Sequence, residues 1–279
     1  MTIYRNALFQ IGGAAALFLS LNACSKGAKS PNSNDLGKSV STASLPGAGG
    51  VLDYYNFITQ PSNGVFGIKS YTTQYTQGSS RVTYTGGAFV DANNNTLPGG
   101  NVSIGNVNLF DSVVAGNHGY GNNIIQGTQL FGTNTTFNIN PNPDNSVTGK
   151  NASITMYAPA LISIDSMTTY NNIQAGSTIM WHADAQNPQN VLIVMEYDPA
   201  LKGNDSVAIQ HPNSISTSLS VPDNGSYHFE SSDFTQFPSG ATLNIKLMRL
   251  NYAKAVSTDG TASYLVYSYN GVDALYFHP

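Results

Sequence analysis

Short runs of alternating apolar and polar residues, separated by Gly, Asn and Pro, recur from Val51 to the C-terminus. Residues 81–85 alternate as a half-buried strand does, and residues 191–197 are almost continuously apolar, which is typical of a central strand. Residues 216–221 alternate again and end at the strong turn sequence Pro222-Asp223-Asn224-Gly225. The pattern therefore predicts many short strands and an all-β fold.

Changes in the parity of the apolar positions predict local irregularities. A switch at Gly105-Asn106 predicts a bulge or a tight bend, and a second switch near Met248-Arg249 predicts another bulge. Residues 264–269 and 274–277 are predicted as the last two strands, on either side of a break.

The clearest strand of the C-terminal half is predicted at residues 176–184. In that strand Ile179, Trp181 and Ala183 share one face, so we expect them to face the core. His182 and Asp184 share the opposite face.

Composition supports the all-β prediction and excludes some functions. Only 9% of the residues are charged, and 16 are tyrosine. Strands containing Thr and Tyr, joined by turns of Asn, Gly and Pro, produce this bias. The formal net charge is −4 and the basic residues are not clustered, which argues against nucleic-acid binding. We find no glycine-rich phosphate or dinucleotide loop, so no cofactor is predicted.

The N-terminus has the layout of a secretory signal peptide. Arg5 precedes an apolar run from Ala7 to Leu21, and Cys24, the only cysteine, follows a small residue. Residues 1–23 are therefore predicted to be removed, and residues 24–50, rich in Ser, Gly and Asn, to form a flexible tether. Two alternatives are a short transmembrane helix and an ordinary cleaved signal.

The segment Leu21-Asn22-Ala23-Cys24 resembles the lipobox of bacterial lipoproteins. This resemblance implies cleavage before Cys24 and attachment of lipid, including palmitate, to Cys24 as a membrane anchor. Ser25-Lys26 follows without an Asp, which by resemblance to Gram-negative sorting signals implies the outer membrane. We expect a periplasm-facing protein, with exposure at the cell surface left open.

A boundary at Ala158-Pro159 divides the remaining chain into two predicted β-sandwich domains, residues 51–158 and 159–279. The second domain resembles immunoglobulin-like and fibronectin-type sandwiches over residues 173–181 and 221–227. Such a resemblance implies a fold and leaves the function open.

The candidate chemistry for a metal site is weak. His182 and Asp184 leave one strand face, and His228 and Glu230 repeat this spacing on another strand. Neighbouring strands would bring four zinc ligands together, but polar residues opposite a core face explain the pattern more simply. We therefore predict no metal and keep these four residues only as weak candidates.

Three Asp-Ser-apolar triplets resemble the acceptor motif of general protein O-glycosylation in some Gram-negative bacteria. The resemblance implies acceptor sites at Ser112, Ser166 and Ser206.

The leading functional hypothesis is an outer-membrane-anchored, non-enzymatic lipoprotein that serves as a binding or structural module. Its expected partners are the membrane, through the lipid, and a protein or a glycan. One alternative is a carbohydrate-binding component of an uptake system, because exposed tyrosines can stack on sugar rings. A second alternative is a hydrolase whose site is assembled from scattered acids and histidines.

Overall fold

The computed structural model describes residues 60–279, apart from 76–77, 99, 123–124, 142–149, 169–170, 188 and 202. The predicted signal peptide 1–23, Cys24, the tether 24–50 and residues 51–59 of the predicted first domain lie outside the described residues. The described residues belong to one compact unit. They are almost entirely strands and turns, which confirms the all-β prediction.

Fifteen strands are described, joined by turns and by brief helical segments. The strands are β1 Gly64–Tyr75, β2 Gly78–Val90, β3 Thr96–Leu97, β4 Asn101–Ile104, β5 Val107–Val114, β6 Asn117–Asn122, β7 Thr133–Asn140, β8 Ala152–Ala158, β9 Ser166–Met167, β10 Thr178–Met180, β11 Val191–Tyr197, β12 Ile215–Val221, β13 Ser226–His228, β14 Ala241–Val256 and β15 Ser263–His278. The helical segments are Ile125–Leu130 and Ser231–Phe234, both 3₁₀, and the single α-helical turn Asp205–Ala208.

The strands form one large mixed sheet and one small sheet. The large sheet has the order β12-β11-β14-β15-β1-β2-β6-β5-β4-β7-β8, with β3 added to β2. The small sheet has the order β13-β10-β9. Strands β1 and β15 pair in parallel and the other named pairs are antiparallel. This parallel pair joins the two ends of the described chain.

Two hydrophobic clusters lie on the same side of the large sheet, which we call its inner face. The N-terminal cluster is centred on Phe66, Phe89, Tyr120 and Phe137, and Phe89 meets Tyr120 edge to face with ring centroids 5.2 Å apart. The sheet curls around this cluster until β8 lies beside β14, where Asn251 Nδ2 donates to the Tyr157 carbonyl over 2.7 Å.

The C-terminal cluster lies between the small sheet and strands β11, β12, β14 and β15. Ile179, Trp181 and Phe229 come from the small-sheet side, and Ile193 and Ile245 come from the large sheet. Two sheets enclosing one core is the arrangement of a β-sandwich. The immunoglobulin-like assignment of this half stays a prediction.

A buried polar seam separates the two clusters on the inner face. It comprises Ser70, Thr85, Arg249, Asn251, Ser268 and Asn270. The chain crosses this seam between the clusters in residues 158–164, which we call the crossing segment. A crossing chain without regular pairing must satisfy its peptide groups with side chains, because buried peptide groups without partners are costly.

Side chains of the seam provide those partners. Asn270 accepts from the Ile162 N–H over 2.9 Å and donates to the Pro159 carbonyl over 3.0 Å. Arg249 Nη1 donates to the Ala160 carbonyl over 2.9 Å. The route of the crossing segment therefore explains why Arg249 and Asn270 stand in the middle of β14 and β15.

The predicted boundary at residues 158–159 falls within the crossing segment. The two clusters divide near that point, but β14 and β15 contribute residues to both, including Ala255 and Val266 to the first and Ile245 and Val272 to the second. The division into two domains stays a prediction, and the large sheet is continuous across it.

The predicted bulge near Met248-Arg249 is wrong. The register between β14 and β15 runs without interruption from Ala241 to Val256. Apolar residues change parity because the outer face of the sheet is also buried here, at Met248 and Leu250, while Arg249 occupies the inner face. By contrast, the expected tight bend at Gly105-Asn106 is a two-residue turn between β4 and β5, in which Gly105 has a φ of 58°.

Two further strand predictions need correction. The strands expected at 264–269 and 274–277 are one strand, β15, because Asn270 turns its side chain to the crossing segment and not into a hairpin. The strand expected at 176–184 ends at Met180. Beyond it Ala183 is exposed and Asp184 is buried, the reverse of the expected alternation.

Candidate binding face

The four weak metal candidates do not converge on a site. The carboxylate of Asp184 accepts from the Tyr157 hydroxyl over 3.0 Å and the Ala160 N–H over 2.7 Å, so it fixes the start of the crossing segment. His228 Nδ1 lies 3.1 Å from Thr178 Oγ1, and His182 and Glu230 are exposed. Within the described ranges, no three His, Cys, Asp or Glu side chains are grouped to hold a metal ion.

The three serines of the Asp-Ser-apolar triplets are all exposed. Ser112 lies on β5 near the tip of the β5–β6 hairpin, Ser166 on the edge strand β9, and Ser206 in the helical turn after β11. Their glycosylation stays a prediction, as does the lipidation of Cys24, which lies outside the described residues.

The outer face of the large sheet, opposite the two clusters, carries the half-buried Tyr84 and Tyr267, the buried Tyr269 and the exposed Phe110. One register row places Leu250, Tyr269, Lys69 and Tyr84 side by side across β14, β15, β1 and β2. The Lys69 ammonium lies 5.6 Å from the ring centroid of Tyr84 and 5.3 Å from that of Tyr269. Both distances are within the range of cation–π attraction.

The next row of the outer face is built from glycines. Gly67, Gly86 and Gly121 are direct neighbours across β1, β2 and β6, and the row ends at Phe110 on β5. A Cβ on Gly67 would collide with the ring of Tyr267, which lies across it. Above Gly86 and Gly121 no described side chain comes within 4 Å of the Cβ position. The bare backbone therefore forms a floor about 10 Å wide between Tyr267 and Phe110, from the ordinary strand spacing.

Phe110 is 65% exposed, which is unusual for a phenylalanine in the middle of a sheet. It also lines a shallow, open cleft of about 360 Å³, together with the uncharged polar residues Asn101, Ser103, Asn108 and Asn140. These side chains share the outer face because Ser103 pairs with Asn108, and Asn101 pairs with Asn140, across neighbouring strands.

We call this strip of the outer face, from Lys69 and Tyr84 over Gly86 and Gly121 to Phe110 and its cleft, the binding face. Burial lowers the pKa of Lys69, and it raises the pKa of Tyr84 to about 12. The tyrosine is therefore a neutral hydrogen-bonding group at physiological pH. Beside the strip, Tyr71 donates a hydrogen bond to Asp273, and burial together with that bond raises the pKa of Tyr71.

The arrangement can hold a ligand by stacking and by uncharged hydrogen bonds. Aromatic rings provide flat apolar contact, and amide and hydroxyl groups provide donors and acceptors in fixed positions. Sequence reasoning noted the tyrosines as a class, but it did not single out Lys69, Gly86, Gly121 or Phe110. The sequence feature that could have indicated this face is Gly86-Gly87 inside an otherwise alternating strand. Such glycines often mark a close approach of a ligand or of another backbone.

No family model matches the chain, and no curated protein matches it. In the part of the chain that the structure describes, no helix has the length and apolar character needed to cross a membrane.

Proposed function

We propose that this chain is a non-enzymatic binding module, held at the outer membrane by lipid on Cys24, and that it binds an uncharged glycan through the binding face. The anchor part of the proposal is supported by the lipobox-like segment and the polar stretch at residues 24–50. The glycan part is supported by the binding face.

The proposal of an uncharged glycan as the ligand rests on the position of Phe110, which lies between the bare glycine floor and the asparagine-lined cleft. Sugar rings have apolar faces that stack on aromatic side chains and hydroxyl edges that exchange hydrogen bonds with amides. The strip provides both kinds of contact in one line, with Lys69 as its only charged side chain. A rigid sheet holds these groups in place before binding, which reduces the entropic cost of association.

A glycan array with the full chain carrying Cys24→Ser tests the ligand class without interference from the anchor. We expect binding to a limited set of neutral glycans, and a loss of affinity of about 10-fold or more for Phe110→Ala, the size of effect expected of an aromatic hot spot. Ile209→Ala is the matched control, because Ile209 is 83% exposed and lies outside the strip. Binding that is equal for both variants would contradict the proposed face, and absence of glycan binding would contradict the ligand class.

The periplasmic orientation has its own test. Protease added to intact cells should leave the protein uncut, whereas the same protease should cut it after the outer membrane is opened. Digestion in intact cells would place the protein at the cell surface instead.

A further inference from the structure

The two ends of the large sheet are protected differently. At the β8 end, the Tyr157 carbonyl accepts from Asn251 and the Asn151 carbonyl accepts from the Thr258 N–H, so β14 and the residues after it cover the edge. At the β12 end, the strand pairs only with β11, and no described residue hydrogen-bonds to the backbone on its other side. Among the described strands, β12 is therefore an open edge of seven residues.

This edge lacks the features that usually prevent strand addition. Natural edge strands carry charged residues, proline or a bulge. The sequence of β12, Ile215-Ser216-Thr217-Ser218-Leu219-Ser220-Val221, contains no charge and no proline. Its register with β11 runs without a bulge from Ile215 to Val221.

The two faces of β12 are chemically distinct. Ser216, Ser218 and Ser220 are exposed on one face. On the other face Ile215 and Leu219 are only half-buried against the C-terminal cluster, although Val221 is buried. A strand added beside β12 would bury Ile215 and Leu219 further and would pair the peptide groups to which no described residue bonds on that side.

We propose that β12 pairs with β12 of a second copy of this chain, antiparallel, about a two-fold axis at Ser218. In this register Ile215 lies opposite Val221, Thr217 opposite Leu219, and Ser216 opposite Ser220 of the other copy. Ile215 and Val221 then meet on one face, where Thr217 lies against Leu219, and serines meet on the other face, with no charge brought together. A one-residue slip would place serines opposite apolar residues, so the alternation selects this parity. A two-fold contact also closes, which yields a dimer and not a filament.

The dimer would place the outer faces of both copies on the same side of one continuous sheet. Only this consequence depends on the proposed function: two binding faces would engage a repeating ligand together, with a gain in avidity. The pairing itself can be tested without any ligand, so its failure and the failure of glycan binding are distinguishable.

Ser218→Cys in the full chain carrying Cys24→Ser introduces the only thiol. Opposite residues of an antiparallel pair have Cα atoms about 4.5–5.5 Å apart, which a disulfide can span. Mild oxidation should therefore cross-link the Ser218→Cys variant into a dimer. Ser216→Cys is the matched control, because in this register its counterpart is about 13 Å away along the strand.

Charge variants provide a second, reversible test in the same background. The parent protein should have twice the mass of one chain by light scattering, and Ser218→Lys and Ser218→Glu should each be monomeric, because like charges would lie opposite each other. An equal mixture of the two variants should recover the dimer, with circular dichroism confirming that each is folded.

Several results would overturn the proposal: a parent protein that stays monomeric at its highest soluble concentration, a Ser216→Cys cross-link as fast as that of Ser218→Cys, or a dimer that survives Ser218→Lys. Open-ended oligomers of the parent would also overturn it, because they would indicate pairing with a different edge.

Discussion

Removal of the Arg249 side chain should destabilise the protein more than any surface change. Arg249 is fully buried, and its guanidinium donates to both carboxylate oxygens of Asp223, over 2.7 and 2.8 Å. It also donates to the carbonyls of Ala160 and His182. One side chain thus joins β14 to the turn after β12, to the crossing segment and to the segment after β10.

The magnitude follows from what Arg249→Ala would leave behind. The buried carboxylate of Asp223 would lose its cation, and the carbonyls of Ala160 and His182 would each lose a donor. Removing one partner of a buried ion pair costs about 3–5 kcal/mol, which is a large part of the usual 5–15 kcal/mol stability of a protein. Arg81→Ala is the matched control, since Arg81 is exposed and its Nε bonds only to Thr72 Oγ1. We expect the control to change the free energy of unfolding by less than about 0.5 kcal/mol.

The loss of unfolding free energy in Arg249→Ala should depend on pH, and the surroundings of Asp223 determine whether it grows or shrinks on acidification. Burial by itself would raise the pKa of Asp223, but hydrogen bonds from Arg249, Asn187 and Trp181 outweigh burial and lower that pKa below its ordinary 3.8. A depressed carboxyl pKa contributes stability above the unfolded-state pKa, and this contribution is lost as the pH falls through the folded-state value. In Arg249→Ala, burial without the guanidinium should raise the pKa of Asp223. The variant then takes up a proton at a higher pH, and its deficit in stability should shrink on acidification.

Urea unfolding at pH 7 and at pH 4 measures both the loss of stability and its pH dependence. Trp181 fluorescence and far-ultraviolet circular dichroism are the two readouts of unfolding. Trp181 is a local reporter, because its indole Nε1 donates to Asp223 Oδ1 over 2.9 Å. A loss below about 1 kcal/mol at pH 7 would refute the reasoning, since it would lie in the range of an ordinary neutral hydrogen bond. An equal loss at both pH values would refute the assigned role of Asp223.

Three further predictions concern the anchor, the core and the boundary. Cys24→Ser should release the protein from the membrane fraction, because each buried lipid methylene contributes about 0.8 kcal/mol; retention after a salt wash would indicate a membrane-spanning helix at residues 7–23. Trp181→Ala should lower the free energy of unfolding by about 3–5 kcal/mol, because Trp181 is only 3% exposed. Met180→Ala should lower it little, because Met180 is 40% exposed. Equal losses of the two variants in urea unfolding would contradict this reasoning. Limited proteolysis tests the boundary at residues 158–159: the fragments should stay associated in gel filtration because β1 pairs with β15, and free separation would show independent domains.

Local periodicity was sufficient for much of the secondary structure. The continuous apolar run at 191–197 is β11, which is paired on both sides, and the alternation at 216–221 is β12. Trp181 lies in the core as its parity with Ile179 predicts. Such predictions succeed because the alternation of side chains across a strand depends only on neighbouring residues.

Local signals failed where a distant partner decides the conformation. Asn270-Gly271 resembles a hairpin turn, yet it lies inside β15, because the side chain of Asn270 bonds the crossing segment more than 100 residues earlier in the chain. Asp184 turns inward for the same reason, to bind Tyr157 and Ala160.

The sequence by itself determined the all-β class, the position of several strands and the candidate anchor at Cys24. Only the tertiary structure decided the binding face and the open edge. The row from Gly67 to Phe110 exists because four strands align in one register, and β12 is an edge because no described strand follows it in the sheet. Strand order and register come from contacts between residues far apart in the chain, which neither composition nor periodicity records.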